Sequence, residues 1–566
     1  MTLHGARPIL APVRVALAQV NPTVGDLAGN RRLVEEAAAK AEAAGAALVV
    51  LPELALTGYP PLDLLEREGF VEDQLRELER LAGASRRVAI AVGAVLPVEG
   101  ARPKALLNAA VLLANGARAA VRGKSLLPSY DVFDEGRYFQ PASTREPVRL
   151  GPPEGERVGL TVCEDLWASR VPYAVDPATE LTRAGVDLLV NLSASPWHLG
   201  KARLRRELFS DTARRHGVPT VFVNQVGGND ELIFDGGSFA LDASGRVLAS
   251  LPLFESAFEV VDLARTEPGI APDAVVEPEG VAQLERGLVV GIRDYFLKQS
   301  LPLGAVLGLS GGIDSAVTAN LAVQALGAER VLGVAMPGPF SSHHSAADAE
   351  TLARNLGMEL RRIEIVPIYE AYLRAFRALL GPRDNFGVAQ QNIQSRIRGA
   401  LLMAISNAEQ RLVLATGNKS ELSMGYCTLY GDTVGGLAVL GDVYKRDVYA
   451  LARHANRAGE RIPVGSIAKP PSAELAPGQL DQDDLPPYEV LDAVLEQAIE
   501  GGLGASGIVP PPGASADLVQ RIVDRLDQNE YKRRQAPLVL RCSTKAFGVG
   551  RRLPIVQRYG RGDTGP

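Results

Sequence analysis

The chain has 566 residues, 60 Lys and Arg against 66 Asp and Glu, a formal net charge of −6, and a hydrophobic fraction of 46%. That length excludes a small binding module and, at ~100–200 residues per domain, allows three to five units or two unusually large ones. A mildly acidic chain has no general basic field for nucleic acid or an anionic membrane, and the apolar content argues against disorder.

Three cysteines, Cys163, Cys427 and Cys542, are too few and too widely spaced for a disulfide framework or a CxxC metal knuckle, so a reducing compartment is expected. Lysine is scarce, ten residues against 50 arginines, which makes each lysine worth inspecting. No run of 18 apolar residues suggests a membrane span, and Met1 to Val13 lacks the apolar core of a signal peptide. A cytoplasmic location without membrane contact is the expectation.

From Val13 to about Asp262, VRVALAQV (13–20), ALVVLPE (47–53), VAIAVGAVL (88–96), VGLTVCE (158–164), VDLLVNLS (186–193) and TVFVNQV (220–226) read as buried strands. Helical patterns fall between several of them, at 30–45 and 201–217. Segment 106–127 reads as an antiparallel pair turning at Asn115-Gly116. A layered α/β unit with a mixed sheet follows. ARTEPGIAPDAVVEPEG (264–280) has no periodicity and reads as a linker. The expected organisation is a first domain at 12–264, a linker at 265–280 and a second domain at 281–566.

The second half begins with a helix (281–300), then strand GAVLGLS (304–310), a glycine turn and a helix from Asp314. Strand VLGVAMP (331–337), a helix (344–356), strand ELRRIEIV (359–366), further helices and strand RLVLATG (411–417) continue it. Repeated β-α-β units imply a doubly wound parallel sheet, with ligands at the carboxyl ends of its strands.

LSGGIDS (309–315) is the sharpest local signal. Its glycines let backbone amides approach an anion, the following helix adds partial positive charge, and Ser310 and Ser315 offer hydroxyls. No Gly-Lys-Ser/Thr follows, so it is not a Walker A loop. GLGASG (502–507) matches a dinucleotide fingerprint in letters but has no preceding strand, and reads as a plain loop. SGGIDS resembles the PP-loop of ATP pyrophosphatases, which cleave ATP to AMP and pyrophosphate.

Cys163 ends a strand pattern, and polar residues end others: Glu53 after ALVVLPE, and Lys124 just past Arg122. In an α/β layer such ends can converge. An ammonium would favour the thiolate and a desolvated carboxylate could take its proton. None of the six histidines sits in a strand-end motif. Cys-Glu-Lys resembles the catalytic set of the nitrilase superfamily, and LPELALTGYPPLDLL, GKSLLPSYDVFDEGRYF and VCEDLW look like its blocks, with Glu135 as the supporting second carboxylate.

A nitrilase-like amidase joined to a PP-loop ATPase suggests that one half frees ammonia and the other uses it to aminate an activated carboxylate. An internal tunnel would keep the ammonia from being lost as ammonium. GMP synthetases place their cysteine in a Gly-rich elbow and asparagine synthetases expose theirs at the amino terminus; neither pattern is present. The order of blocks resembles the glutamine-dependent NAD synthetase family over nearly the whole chain, including QNIQSRIRG (391–399), ATGNKSELSMGYCTLYGD (415–432), VYKRDVY (443–449) and EYKRRQAPL (530–538).

The resemblance implies an N-terminal nitrilase-like α-β-β-α sandwich and a C-terminal doubly wound parallel-sheet PP-loop domain. It implies Glu53 as general base, Lys124 steadying the thiolate and tetrahedral intermediate, Cys163 as nucleophile, and Tyr130, Ser195 and Lys201 holding glutamine. It implies ATP at Gly308, Leu309, Ser310, Gly311, Gly312, Ile313, Asp314, Ser315 and Thr416, and deamido-NAD at Asn392, Glu421 and Lys532. Asp314 and Glu421 would be the Mg²⁺ ligands, and assembly would be a homo-oligomer formed through the synthetase domain. One departure is Gln482 after Asp481, where the family often has an acid, so no role is carried over to that region. Met424 and Cys427 are expected to be packing residues. The competing readings are a PP-loop amidotransferase acting on another carboxylate, and a nucleotide-binding protein whose amidase half is a scaffold.

Overall fold

The computed structural model describes residues 13–98, 105–151, 155–263, 269–275, 280–301 and 304–559. They divide into two compact units, one reaching residue 278 without 230–232, the other made of 230–232 and everything from 279 onward. Of the linker expected at 265–280, positions 265–268 and 276–279 lie outside the described residues.

The first unit contains two six-stranded sheets. One has the order β14-β1-β2-β3-β4-β5, built from β1 (Arg14–Gln19), β2 (Leu48–Val50), β3 (Ala89–Pro97), β4 (Leu106–Ala114), β5 (Ala117–Gly123) and β14 (Ala257–Asp262). The other has the order β13-β12-β9-β8-β7-β6, built from β6 (Val148–Arg149), β7 (Arg157–Val162), β8 (Leu188–Ser193), β9 (Thr220–Asn224), β12 (Phe239–Leu241) and β13 (Val247–Ser250). A separate two-stranded ribbon pairs β10 (Val226–Asn229) with β11 (Leu232–Asp235).

Strands buried on both faces explain the near-continuous apolar runs. Val15, Leu17, Leu48, Val50, Ala110 and Leu112 face Val158, Leu160, Val162, Leu188, Val190 and Val221 between the sheets. Alternate residues such as Ala16, Val49, Ile90 and Val92 pack outward against Val34, Ala38 and Leu78 of two helices. On the other outer face, Phe209 of the helix Lys201–His216 meets Phe222 and Phe239. This is the expected α-β-β-α sandwich. Asn115 (φ 53°) and Gly116 (φ 79°) make the β4–β5 turn, the left-handed pair that a tight two-residue hairpin requires.

The second unit carries one sheet in the order β17-β16-β15-β18-β19-β20, every pair parallel. Its strands are β15 (Ala305–Gly308), β16 (Val331–Ala335), β17 (Glu359–Arg362), β18 (Leu412–Ala415), β19 (Leu437–Ala438) and β20 (Leu538–Val539). The winding reverses between β15 and β18, so a crevice opens at their carboxyl ends. Val306, Leu332, Val334, Ile393 and Ile397 form the core behind that crevice.

Several strands end earlier than their apolar runs suggest. The strand in ALVVLPE ends at Val50, in GAVLGLS at Gly308, in RLVLATG at Ala415 and in VGLTVCE at Val162. Leu51 and Leu309 still donate to the neighbouring strand, to the Ala91 and Val334 carbonyls at 2.9 Å each. The segment GLGASG is a loop with one short turn at Ala505–Gly507.

Candidate active sites

In the first unit the polar strand ends do converge. Lys124, Glu53 and Glu135 are all buried, and the Lys124 ammonium donates to Glu53 Oε1 at 2.8 Å and Glu135 Oε1 at 2.7 Å. Burial works against the ammonium, but Glu135 and Glu53 outweigh it and hold its pKa well above the ordinary value. Glu53 also accepts from Asn108 Nδ2 at 2.6 Å and from the Ala194 amide at 2.9 Å. Glu135 accepts from the Tyr59 hydroxyl at 2.8 Å. Burial raises the Glu135 pKa to about 7, with Lys124 opposing the rise and Glu53 adding to it.

Cys163 begins a one-turn helix, Cys163–Leu166, with φ 41° in the left-handed region. A non-glycine residue there is strained and must be held by its surroundings. Asn191 Nδ2 donates to its carbonyl at 3.3 Å. Burial pushes the thiol pKa well up, Glu53 adds to this, and Lys124 opposes it. That direction favours a reaction in which a base takes the thiol proton as the sulfur attacks.

The Tyr130 hydroxyl donates to both oxygens of Glu164, at 3.0 and 3.1 Å, and Tyr173 donates to the same carboxylate at 2.8 Å. Ser195 is buried, its amide held by Asn224 Oδ1 at 2.9 Å. The Lys201 ammonium lies 4.2 Å from the centroid of the Trp167 ring. Glu164 and Tyr173 carried no role in the sequence; the only signal for Glu164 was its adjacency to Cys163.

In the second unit a cavity of about 660 Å³ lies at the carboxyl ends of β15 and β18. Gly308, Leu309, Ser310, Gly312, Ile313, Asp314, Ser315, Asn392, Thr416, Glu421 and Lys532 all line it. Gly311 does not; it is turned toward Ser345, where an added Cβ would stand 2.3 Å from the carbonyl oxygen, and its φ is +75°. The Gly312 amide donates to Ser310 Oγ at 3.2 Å, and Ser315 Oγ donates to the Gly312 carbonyl at 3.0 Å. The turn is thus cross-braced by its own hydroxyls just ahead of the helix Ile313–Leu326.

Lys445 Nζ bridges the two carboxylates expected to bind metal, at 2.6 Å from Asp314 Oδ2 and 3.2 Å from Glu421 Oε1. Asn418 caps the helix Lys419–Met424 and donates to Asp314 Oδ1 at 2.8 Å. Burial pushes the Glu421 pKa up to about 8; Lys445 opposes this, and Asp314 and Asp481 add to it. Asp481, next to the departure at Gln482, lines the cavity and accepts from the Tyr488 hydroxyl at 2.8 Å. Asn392 Oδ1 accepts from Thr428 Oγ1 at 3.0 Å, and Lys532 Nζ donates to the carbonyls of Gly425 and Cys427 at 2.7 and 3.0 Å. Met424 is a packing residue, whereas Cys427 both packs and lines the cavity. Among the described residues, no group of three or more His, Cys, Asp or Glu side chains is arranged to hold a metal ion, and no helix is long and apolar enough to cross a membrane.

Residues 14–268 match the carbon-nitrogen hydrolase family model, and residues 285–536 match the NAD synthase model. The chain is 46% identical to the glutamine-dependent NAD(+) synthetase of Synechocystis over 556 residues, covering 96% of this chain and 99% of that protein. It is 42% identical to the enzyme of the same name from Thermotoga maritima, covering 97% and 99%. Among solved structures, the glutamine-dependent NAD+ synthetase from Acinetobacter baumannii in complex with ADP aligns with a TM-score of 0.75 at 35% identity, covering 96% of this chain and 99% of that one. With both family models matched and likeness across almost its full length, the chain belongs to the glutamine-dependent NAD synthetase family.

Proposed function

We propose that this protein makes NAD from deamido-NAD, with glutamine as nitrogen donor and ATP cleaved to AMP and pyrophosphate. The observation that carries the reading is the pairing, in one chain, of a buried Glu53-Lys124-Glu135 cluster and Cys163 with a braced glycine turn beside Asp314 and Glu421. The domain division that goes with it is 12–264 for glutamine hydrolysis, 265–280 as linker and 281–566 for synthesis.

In the first unit, the Cys163 sulfur attacks the glutamine side-chain carbonyl carbon while Glu53 takes the thiol proton. Lys124 steadies the negative charge on the former carbonyl oxygen. Collapse of the tetrahedral intermediate breaks the C–N bond, and the proton held by Glu53 leaves with ammonia. Water, deprotonated by Glu53, then attacks the thioester carbon; the C–S bond breaks, the sulfur takes the proton back from Glu53, and glutamate is released. Glu135 keeps the ammonium in place. Tyr130, Ser195 and Lys201 hold the amino-acid end of glutamine, the lysine by pairing with its α-carboxylate.

In the second unit, the nicotinate carboxylate of deamido-NAD attacks the α-phosphorus of ATP and releases pyrophosphate. Ammonia then adds to the acyl carbon and AMP departs. Gly308 to Ser315 and Thr416 bind ATP, with Gly311 shaping the turn rather than touching the nucleotide through the cavity. Asn392, Glu421 and Lys532 bind deamido-NAD.

Asp314 and Glu421 both line the cavity and supply oxygen donors of the kind a hard cation takes. Asp314 and Glu421 would hold Mg²⁺, which when bound neutralises charge on the ATP phosphates.

A cytoplasmic homo-oligomer, with synthetase units in contact and ammonia passed on without release, completes the proposal. Exposed apolar side chains at Tyr372, Leu379, Leu380 and Val388 of the synthetase unit support such a contact. The test is pyrophosphate release measured against deamido-NAD: one pyrophosphate per NAD, and none without deamido-NAD, is expected. Release driven by another carboxylate in its place would overturn the assignment.

A further inference from the structure

The carboxylate of Asp165 lies two residues past the nucleophile, yet it does not point at the reacting atoms. Its Oδ1 accepts from the backbone amides of Ser125 at 2.8 Å and Leu126 at 2.9 Å, the two residues that follow Lys124. Its Oδ2 accepts from the amide of Val162 at 3.0 Å, the residue before Cys163. The side chain is buried, as are Ser125, Leu126 and Val162.

One carboxylate therefore ties the segment bearing the ammonium to the turn bearing the thiol. The other supports of that segment are the Lys124 amide to Asn108 O at 2.7 Å, the Ala142 amide to Lys124 O at 2.8 Å, Arg145 Nη1 to Ser125 Oγ at 3.4 Å, and the Lys124 ammonium to Glu53 and Glu135. None of these reaches the nucleophile turn. Burying a carboxylate is costly, and burial raises the Asp165 pKa to about 6 against the opposing pull of the Val162, Leu126 and Ser125 amides. That cost is offset by the three amides it fastens and by attraction to the Lys124 ammonium.

We infer that Asp165 is a positioning residue for glutamine hydrolysis, setting the Lys124 ammonium against the Cys163 sulfur by clamping both backbones. This rests on Cys163 and Lys124 being the nucleophile and its electrostatic support. Without the clamp, three buried amides lose their acceptor, the left-handed turn at Cys163 loses its brace, and the lysine segment shifts relative to it.

The experiment uses the full-length enzyme and three variants, with ammonia-driven NAD synthesis as the check on the rest of the chain. Asp165→Ala is expected to lower the glutaminase kcat at least 100-fold while changing the KM for glutamine less than threefold. Iodoacetamide alkylation, followed at the Cys163 peptide by mass spectrometry at pH 7.5, should slow at least tenfold, because the sulfur loses the ammonium that favours its thiolate. Asp165→Asn retains one oxygen for the Ser125 and Leu126 amides and should recover at least tenfold of the lost kcat. Faster alkylation in Asp165→Ala would mean that the unit has opened and that Asp165 only holds the fold, which overturns the inference. A kcat within threefold of the parent, or an Asp165→Asn variant no better than the alanine, would also overturn it. Glutaminase activity surviving in Cys163→Ala would instead refute the underlying assignment.

Discussion

Replacing Lys124 with methionine keeps the bulk of a fully buried side chain and removes the charge that two buried carboxylates share. Its contacts are 2.8 Å to Glu53 and 2.7 Å to Glu135, with all three groups out of solvent. Removing one partner of a buried ion pair typically costs about 3–5 kcal/mol, because the other charge stays behind unpaired. At ~2–4 °C per kcal/mol for a domain near this size, unfolding of the first unit should shift down by roughly 10 °C.

The shift should depend on pH. With Lys124 gone, the folded-state pKa of Glu135, already raised to about 7, rises further, above its unfolded value of ~4.3. The folded variant then binds its proton more tightly than the unfolded chain, so its stability falls as pH rises from about 4 through that raised pKa. The parent, with Glu135 at about 7, loses stability in the same way only up to about pH 7, so the gap between parent and variant should be nearly constant from pH 5.5 to about pH 6.5 and widen toward pH 8. Glutaminase kcat should fall by about 10²–10³, the usual loss when a group facing a developing oxyanion is removed. Differential scanning calorimetry across that pH range and glutamate release are the assays. A gap that is flat with pH, or glutaminase activity within tenfold of the parent, would refute the reasoning.

Gly311→Ala should cripple ammonia-driven synthesis, since its Cβ would sit 2.3 Å from the Ser345 carbonyl oxygen at a φ of +75°, while glutaminase activity should persist; unchanged ATP consumption would count against the role of the turn. Asp314→Ala removes a proposed cation ligand and a partner of Lys445 and Asn418, so NAD formation should stop while glutamate release continues, both measured on one preparation. Lys201→Met should raise the glutamine KM at least tenfold with kcat nearly kept, as expected for a group that pairs with the substrate's carboxylate away from the reacting bond; a kcat defect alone would contradict it.

The layers and most element cores were legible because both sheets are buried on two faces and their strands write themselves as apolar runs. Glu53 and Cys163 could be singled out because each closes such a run, and Lys124 because it follows the partly exposed β5. The ends of the runs were less legible: Leu51 and Pro52, and Leu309 and Ser310, stay apolar or small although the regular strands end at Val50 and Gly308. Asp165 and Lys445 were missed for another reason. Their meaning lies in pairing with segments far along the chain, 40 residues for Asp165 with Ser125 and 131 for Lys445 with Asp314. Lysine scarcity was the available hint. Lys124, Lys419 and Lys445 are among the largest fully buried side chains of the protein, each held by carboxylates.

The central claim is that two reactions share one chain and only one of them needs Cys163. NAD formation by Cys163→Ala, measured in parallel with glutamine and with a high concentration of ammonium chloride, tests it most directly. Loss with glutamine and near-parental rates with ammonium are the predicted result. Loss of both, or survival of both, would contradict the account.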